Sequence, residues 1–247
     1  LDRWAGSEAL ERYATGRDRL DLTGTSRLGA DLRFGLLSPV EVAERCAGPG
    51  DGPRRYLDQL AWRDFYAHLL WHAPRVARRS FRPELESVAW STDPAAVDAW
   101  RDGRTGYPVV DAAMRQLRQT GWMPNRARMI VAMFLTKDLG VDWRVGERHF
   151  MEHLVDGDPA SNNGGWQWAA STGTDPQPWF RVFNPALQGR RHDPDGDYVR
   201  RWLPELAGIP GAAVHEPPRG AYLAPIVDHA ESRRIALRSY RDATGRR

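Results

Sequence analysis

The sequence predicts an all-α fold in a single domain. Three features carry that expectation: apolar residues recur at helical spacing, capping residues head the resulting segments, and no stretch alternates with period two and β-branched enrichment. In chain order, Ser38-Pro39-Val40-Glu41 forms a capping box with Pro at the first helical position. Pro53 to His72 follows, with Leu57, Leu60, Ala61, Phe65 and Leu69 at helical spacing. Asp93-Pro94 opens a short helix ending near Gly103. Pro108 to Thr120 buries Val109, Ala112, Ala113 and Leu117, and Gly121 stops it. A helix from Asn125 to Leu139 is closed by Gly140, and Asp142 caps another that reaches Val155. A short helix spans Gly165 to Ala170, a long surface connection runs from Gly208 to Pro225, and a last helix covers Pro225 to Tyr240.

With 247 residues, 41% hydrophobic and 27% charged, the chain can bury a sizeable core, and disorder is not expected. Its 35 basic and 32 acidic residues give a net charge of +3, and Lys137 is the only lysine. Arginine's planar fork suits phosphate, so this balance permits a nucleic-acid partner without demanding one. The single Cys46 excludes an intrachain disulfide framework and any cysteine-based zinc cluster. The longest strongly apolar run, Met129 to Leu135, is far short of the ~20 residues that span a bilayer. A soluble, cytoplasmic monomer without a membrane partner is the resulting expectation. The chain opens at Leu1 rather than Met, which reads as a fragment or a trimmed chain. Eleven Trp are unusual, since the indole N–H needs a partner when buried.

Four stretches bear on chemistry. His149-Phe150-Met151-Glu152-His153 matches a metalloprotease pattern. No third ligand stands downstream, so the pair reads as two partly exposed surface histidines, and no metal is expected. Asp156-Gly157-Asp158-Pro159-Ala160-Ser161-Asn162-Asn163-Gly164-Gly165-Trp166-Gln167-Trp168 reads as a stretch between helices, followed by paired Trp. Small residues there would let the backbone approach a flat ligand, Asn could meet a heteroaromatic edge, and Asp could bind a polyol hydroxyl. An Asn/Gly turn with two core Trp fits equally well. Gly24-Thr25-Ser26-Arg27-Leu28-Gly29 offers hydroxyls and free N–H groups for a phosphate, or simply a helix cap. In Trp122-Met123-Pro124-Asn125-Arg126-Ala127-Arg128-Met129, the two Arg diverge by about 200° on a helix. One could face an internal acid and the other a solvent phosphate.

Together with Trp62-Arg63-Asp64-Phe65-Tyr66 and the run from Thr105 to Leu117, these stretches resemble the flavin-binding domain of the DNA photolyase/cryptochrome family. The likeness runs nearly end to end and is greatest to bacterial class I cyclobutane-dimer photolyases. It implies a multi-helix FAD-binding domain over residues 1–247, and the family's N-terminal α/β antenna domain has no counterpart here. By motif position, Tyr13, Thr25, Ser26, Arg27, Leu28, Gly29 and Tyr56 would line the FAD site. Gly29 stands where the family often has Ser. Asp156, Gly157 and Asp158 would contact the ribityl–adenosine part, Arg128 would pair with Asp156, and Asn162 would face flavin N5. Trp166, Trp143 and Trp90 fall on the family's electron-hopping chain. Trp62 and Trp168 match the walls on which flipped bases pack, while Asn125, Arg126 and Met129 match groups at the pocket and the phosphates. Arg17, Arg63 and Gln188 match DNA-contacting positions less closely. The implied partner is DNA containing pyrimidine dimers, repaired by light-driven electron transfer from reduced FAD. Photolyases are among the enzymes that extrude their target nucleotides from the duplex, which is what the resemblance implies for the pocket Trp.

One departure bears on activity. Class I photolyases carry Glu three residues before the pocket Trp, and here Gln59 precedes Trp62. Gln donates a neutral hydrogen bond of ~1 kcal/mol where a charged group gives ~1.5–3. Gln is familiar here from (6-4) photolyases and animal cryptochromes, but no His lies between Ala73 and Asp142, which argues against (6-4) repair. Pro124 also departs, replacing a His often found before the Asn. A cryptochrome-like photoreceptor without repair activity is therefore the alternative, and a DNA-binding module that never loads flavin is a third reading.

Overall fold

The computed structural model describes residues 1–174 and 178–245. Among the described residues the fold is helical, and one isolated bridge between Ser91 and Val141 is the sole strand-like pairing. Four short helices lead: α1 (Asp2–Ala5), α2 (Glu8–Glu11), α3 (Tyr13–Gly16) and α4 (Gly29–Arg33). Their lengths of four and five residues leave no room for the 3.6-residue pattern to repeat.

Helix α5 (Pro39–Cys46) begins as the sequence predicts, with Ser38 Oγ accepting the Val40 N–H at 3.2 Å rather than that of Glu41. Helix α6 (Asp51–His72) starts two residues earlier than predicted, because Pro53 tolerates any position in the first turn. Its apolar positions are not the buried face expected: Phe65 is 40% exposed, and only Gly52, Pro53 and Tyr56 are buried. The amino-terminal turns pack under α3 and α5, while the middle of α6 forms the edge of a cavity. Helix α7 (Pro94–Arg101) is capped by Asp93, and α8 (Pro108–Thr120) ends on Gly121 with left-handed φ, both as the sequence predicts.

Helix α8 is the axis of the core. Its buried Asp111 accepts from Thr105 N at 2.7 Å, Thr105 Oγ1 at 2.6 Å, Gly106 N at 3.0 Å and Tyr222 OH at 2.9 Å. The run from Thr105 to Leu117 is thus a folding element: one carboxylate satisfies the turn before α8 and ties it to the chain near Tyr222. Gly106 adopts φ +79°, and a Cβ there would meet the Ala224 carbonyl oxygen at 2.4 Å.

The predicted helix from Asn125 to Leu139 divides into α9 (Asn125–Met133) and a π-helical turn over Phe134–Asp138. Helix α10 (Trp143–His153) is capped by Asp142. Helix α11 corrects the sequence reading: it runs from Pro159 to Ala169, so Asn162, Asn163, Gly164 and Gly165 are helical and not a connecting turn. Asp158 Oδ1 accepts the Ser161 N–H at 2.8 Å, and Pro159 takes the first helical position, which outweighs the low propensity of the Asn and Gly pairs. Two further helices, α12 (Pro185–His192) and α13 (Asp197–Trp202), carry too few apolar repeats to be foreseen. The last helix, α14 (His229–Thr244), starts later than predicted because Asp228 caps it. No helix among the described residues is long and apolar enough to cross a membrane.

Candidate functional site

A cavity of ≈ 410 Å³ opens between α6, α9 and α11. Helix α6 sends in Arg55, Gln59, Trp62, Arg63 and Tyr66, spaced i, i+4, i+7, i+8 and i+11 along one face. Helix α9 contributes Asn125, Arg128 and Met129. The loop after α10 contributes Asp156, Gly157 and Asp158, and α11 contributes Asn162, Trp166 and Trp168. Arg17, just after α3, also lines it. Close approach of α11 to α6 depends on Gly164, where a Cβ would lie 2.1 Å from the Tyr66 ring.

Charge on the floor is paired. Arg128 Nη2 donates to both Asp156 oxygens, at 2.9 and 2.8 Å, and its Nε donates to the Met123 carbonyl at 2.9 Å. Gly29 lies against the same carboxylate, since a Cβ there would meet Asp156 Oδ2 at 2.7 Å. Absence of a side chain at position 29 lets α4 begin against Asp156, although none of residues 24–29, nor Tyr13 or Tyr56, lines the cavity itself. Tyr56 OH donates to Ser26 Oγ at 3.0 Å, and Ser26 Oγ accepts from Leu28 N at 3.3 Å. Burial pushes the Tyr56 phenol up to about 12, so it remains a donor. Tyr13 packs edge-on against Tyr56 with centroids 5.2 Å apart. Asn162 Nδ2 donates to the Glu147 carbonyl at 2.9 Å, which leaves its carbonyl oxygen as the group free to accept.

Several expected residues lie elsewhere. The side chains of Thr25 and Arg27 line a separate cavity of ≈ 20 Å³, where Arg27 stacks 4.4 Å from the Trp122 ring centroid. Arg126 does not face a solvent phosphate: it pairs with Asp18 at 2.7 Å and is 16% exposed. Gln188 on α12 is outside the cavity, with its side-chain oxygen buried and unpartnered among the described residues. Trp143 and Trp166 are fully buried and Trp90 half-buried. Among the described residues these three rings do not stack on one another. Trp166 instead packs on Gly146, one turn beyond Trp143, and the Ser91–Val141 bridge draws Trp90 towards the start of α10. His149 is buried, not a surface residue, because its ring packs edge-on against Trp100. Sequence reasoning misses Arg55 and Tyr66 at this cavity, although both continue the α6 spacing of Gln59, Trp62 and Arg63.

The donor set suits a ligand with a polyol, phosphates and a heteroaromatic ring. Arg17 Nη1 is buried without a partner among the described residues, as an anionic oxygen would require, and Asp156, Asp158 and Asn162 offer oxygens nearby. An all-α frame around such a cavity defines a domain for a dinucleotide cofactor. The chain belongs to the family described as the FAD binding domain of DNA photolyase, whose model matches residues 56–242, and FAD is its cofactor. It is 49% identical to the deoxyribodipyrimidine photo-lyase of Salmonella typhimurium, over 96% of this chain and 53% of that protein. Identity to the Escherichia coli protein of the same name is 50%, over 94% and 52%. Among solved structures, a bacterial class III photolyase from Agrobacterium tumefaciens superposes with a TM-score of 0.94 at 41% identity, covering 99% of this chain and 54% of that one. The Synechocystis cryptochrome gives 0.88 at 32% identity, covering 96% and 53%. The chain spans about half the length of the curated relatives it matches.

Proposed function

We propose that this chain is the flavin-binding part of a light-dependent photolyase that repairs cyclobutane pyrimidine dimers in DNA. The observation that carries the reading is the pair of accessible indoles, Trp62 on α6 and Trp168 on α11, set on one cavity whose floor holds the Asp156–Arg128 pair and Asn162. When bound, FAD supplies light absorption and the transferable electron.

The residues of the chain would bind, orient and shield. Trp62 and Trp168 present π faces to extruded bases, a contact worth about 1–3 kcal/mol per base. Gln59 stands between them and Arg55, and its only hydrogen bond among the described residues is a 3.3 Å contact from Nε2 to the Arg55 carbonyl. That weak internal bond is easily exchanged for one to a pyrimidine carbonyl. Arg17 and Arg63 add positive charge at the same cavity, suited to phosphate. The side-chain oxygen of Asn162 can accept from an N–H on a flavin ring. Trp166 and Trp143 have buried indole N–H groups without acceptors, so neither has a base to take its proton on oxidation. Half-buried Trp90 is the one member of the carried-over chain able to release a proton to solvent. This supports a path running outward from the cavity.

The test is repair of a single-dimer thymine oligonucleotide by the FAD-loaded, chemically reduced chain, in blue light and in the dark. Light-dependent recovery of intact thymines is expected. Flavin binding and photoreduction without repair would overturn the reading in favour of a cryptochrome-like photoreceptor, which Gln59 in place of Glu favours.

A further inference from the structure

The last turn of α10 carries a group of side chains that the flavin site does not use. His149, Glu152 and His153 sit at i, i+3 and i+4, and one ligand atom from each lies within 4.8 Å of the others. The two imidazoles overlap with centroids 4.1 Å apart and planes 35° apart. We propose that these three residues form a binding site for a borderline divalent cation, with Zn²⁺ as its representative.

Five features of the geometry support this. His153 Nδ1 bonds the His149 carbonyl oxygen at 2.8 Å, so the proton sits on Nδ1 and Nε2 keeps its lone pair for a metal. The His149 ring is held edge-on against Trp100, with centroids 5.3 Å apart, so one ligand is already fixed. Neither ring nitrogen of His149 makes a hydrogen bond among the described residues. Glu152 is exposed, so its carboxylate can close on an ion through side-chain rotation while the His153 hydrogen bond is kept. Bonds of about 2.0–2.2 Å to two imidazoles and a carboxylate are an ordinary zinc set, with the fourth position open to water. The site also lies at a helix C-terminus, where the backbone dipole favours a cation. Arg101 is the cation that acts on His149 from outside α10, and it already faces Asp98 at 3.4 Å.

Occupancy would clamp the end of α10 just before the loop that bears Asp156 and Asp158. Trp100 contacts both His149 and Trp166, with ring centroids 5.3 and 6.1 Å away, so a bound ion would stand two ring contacts from the cavity. The proposal is independent of repair activity.

The experiment is calorimetric titration of the metal-free 247-residue chain with Zn²⁺, alongside visible absorption with Co²⁺. Binding with a dissociation constant on the order of micromolar is expected, with the absorption bands of four-coordinate Co²⁺ displaced by Zn²⁺. His153→Ala should weaken binding by about tenfold or more, and Glu152→Gln by less. Both positions are exposed, and circular dichroism checks that each variant is folded. The exposed, stacked His68 and His72 on α6 are the competing pair, so His68→Ala is the control and should leave the Co²⁺ spectrum unchanged. Absence of binding, or binding that survives His153→Ala, would overturn the proposal.

Discussion

The two long walls of the cavity are built on opposite terms. Helix α11 is anchored to backbone through its face away from the cavity: Asn163 Nδ2 donates to the Val76 carbonyl at 3.1 Å, and Gln167 Nε2 donates to the same carbonyl at 3.0 Å. Gln167 Oε1 also accepts from Phe81 N at 2.8 Å, and Trp166 is 2% exposed. On the α6 side Trp62 is 39% exposed, and Gln59 bonds only its own helix. A helix held this firmly suits a resident cofactor, which gains by pre-organisation. A loosely tied aromatic edge suits a substrate that must enter and leave. On the function proposed above, cofactor binding and lesion recognition would be separated by how firmly each wall is held.

Asp156→Ala should break the fixed wall most severely. It leaves the Arg128 guanidinium, 25% exposed, without its partner. Losing one member of a buried pair costs ~3–5 kcal/mol, and partial exposure here reduces that to roughly 2–3. Flavin affinity should fall about 100-fold, read from the absorbance retained after dialysis. Retention of flavin at wild-type affinity would show that this wall is not what holds the cofactor.

Gly164→Ala tests the seam between the walls. The new Cβ must displace the Tyr66 ring, a strain of about 1–3 kcal/mol that outweighs alanine's helix advantage of up to ~1 kcal/mol. A lowered denaturation midpoint is expected, together with weaker binding of dimer-containing DNA.

Away from both walls, α12 should carry an acid-sensitive element. His192 on α12 is held down to about 4, first by burial and then by the charge of Arg126. The unfolded imidazole takes up its proton near pH 6.5 and the folded one does not, so the contribution is complete above pH 6.5. It is lost as pH falls through that window towards 4. At pH 5 the loss should be about 2 kcal/mol in urea unfolding, and His192→Asn should flatten the pH slope.

How much of this is legible in the sequence divides along the same line. Helices α7, α8 and α10 follow from caps and apolar spacing, because their buried faces are continuous. The run from Asp156 to Trp168 points to a ligand site but hides its helix: propensity disfavours Asn-Asn-Gly-Gly, and the Asp158 cap and Tyr66 packing override it. Arg126 looks like a phosphate contact because its partner Asp18 lies 108 residues away, a pairing only the fold creates. Conversely, α6 reads as amphipathic for the core, yet Phe65 on that face is exposed, and the cavity is bordered by different α6 positions, Gln59, Trp62 and Tyr66. Sequence pattern locates apolar surface and leaves open what covers it.

Trp62→Ala should separate the two functions. The ring touches Phe65 and Tyr66 on its own helix, with centroids 5.4 and 5.8 Å away, and is not part of the buried core. Flavin content should be unchanged, while affinity for dimer-containing DNA falls about tenfold by loss of one stacking face. Equal losses of both would collapse the distinction between the walls.

Gln59→Glu is the smallest and most informative change. The side chain stays at the cavity, one turn before Trp62 and Arg63, and no core contact is disturbed. A carboxyl group offers a stronger hydrogen bond than an amide, by about 1 kcal/mol, if it meets the pyrimidine edge directly. Repair rate per photon absorbed should then rise by up to about tenfold, with flavin binding and ground-state DNA affinity changing far less. A gain in rate alone would assign position 59 to the reacting state. A gain in affinity alone would make it a recognition residue, and no change would mean that Gln59 and the lesion do not meet.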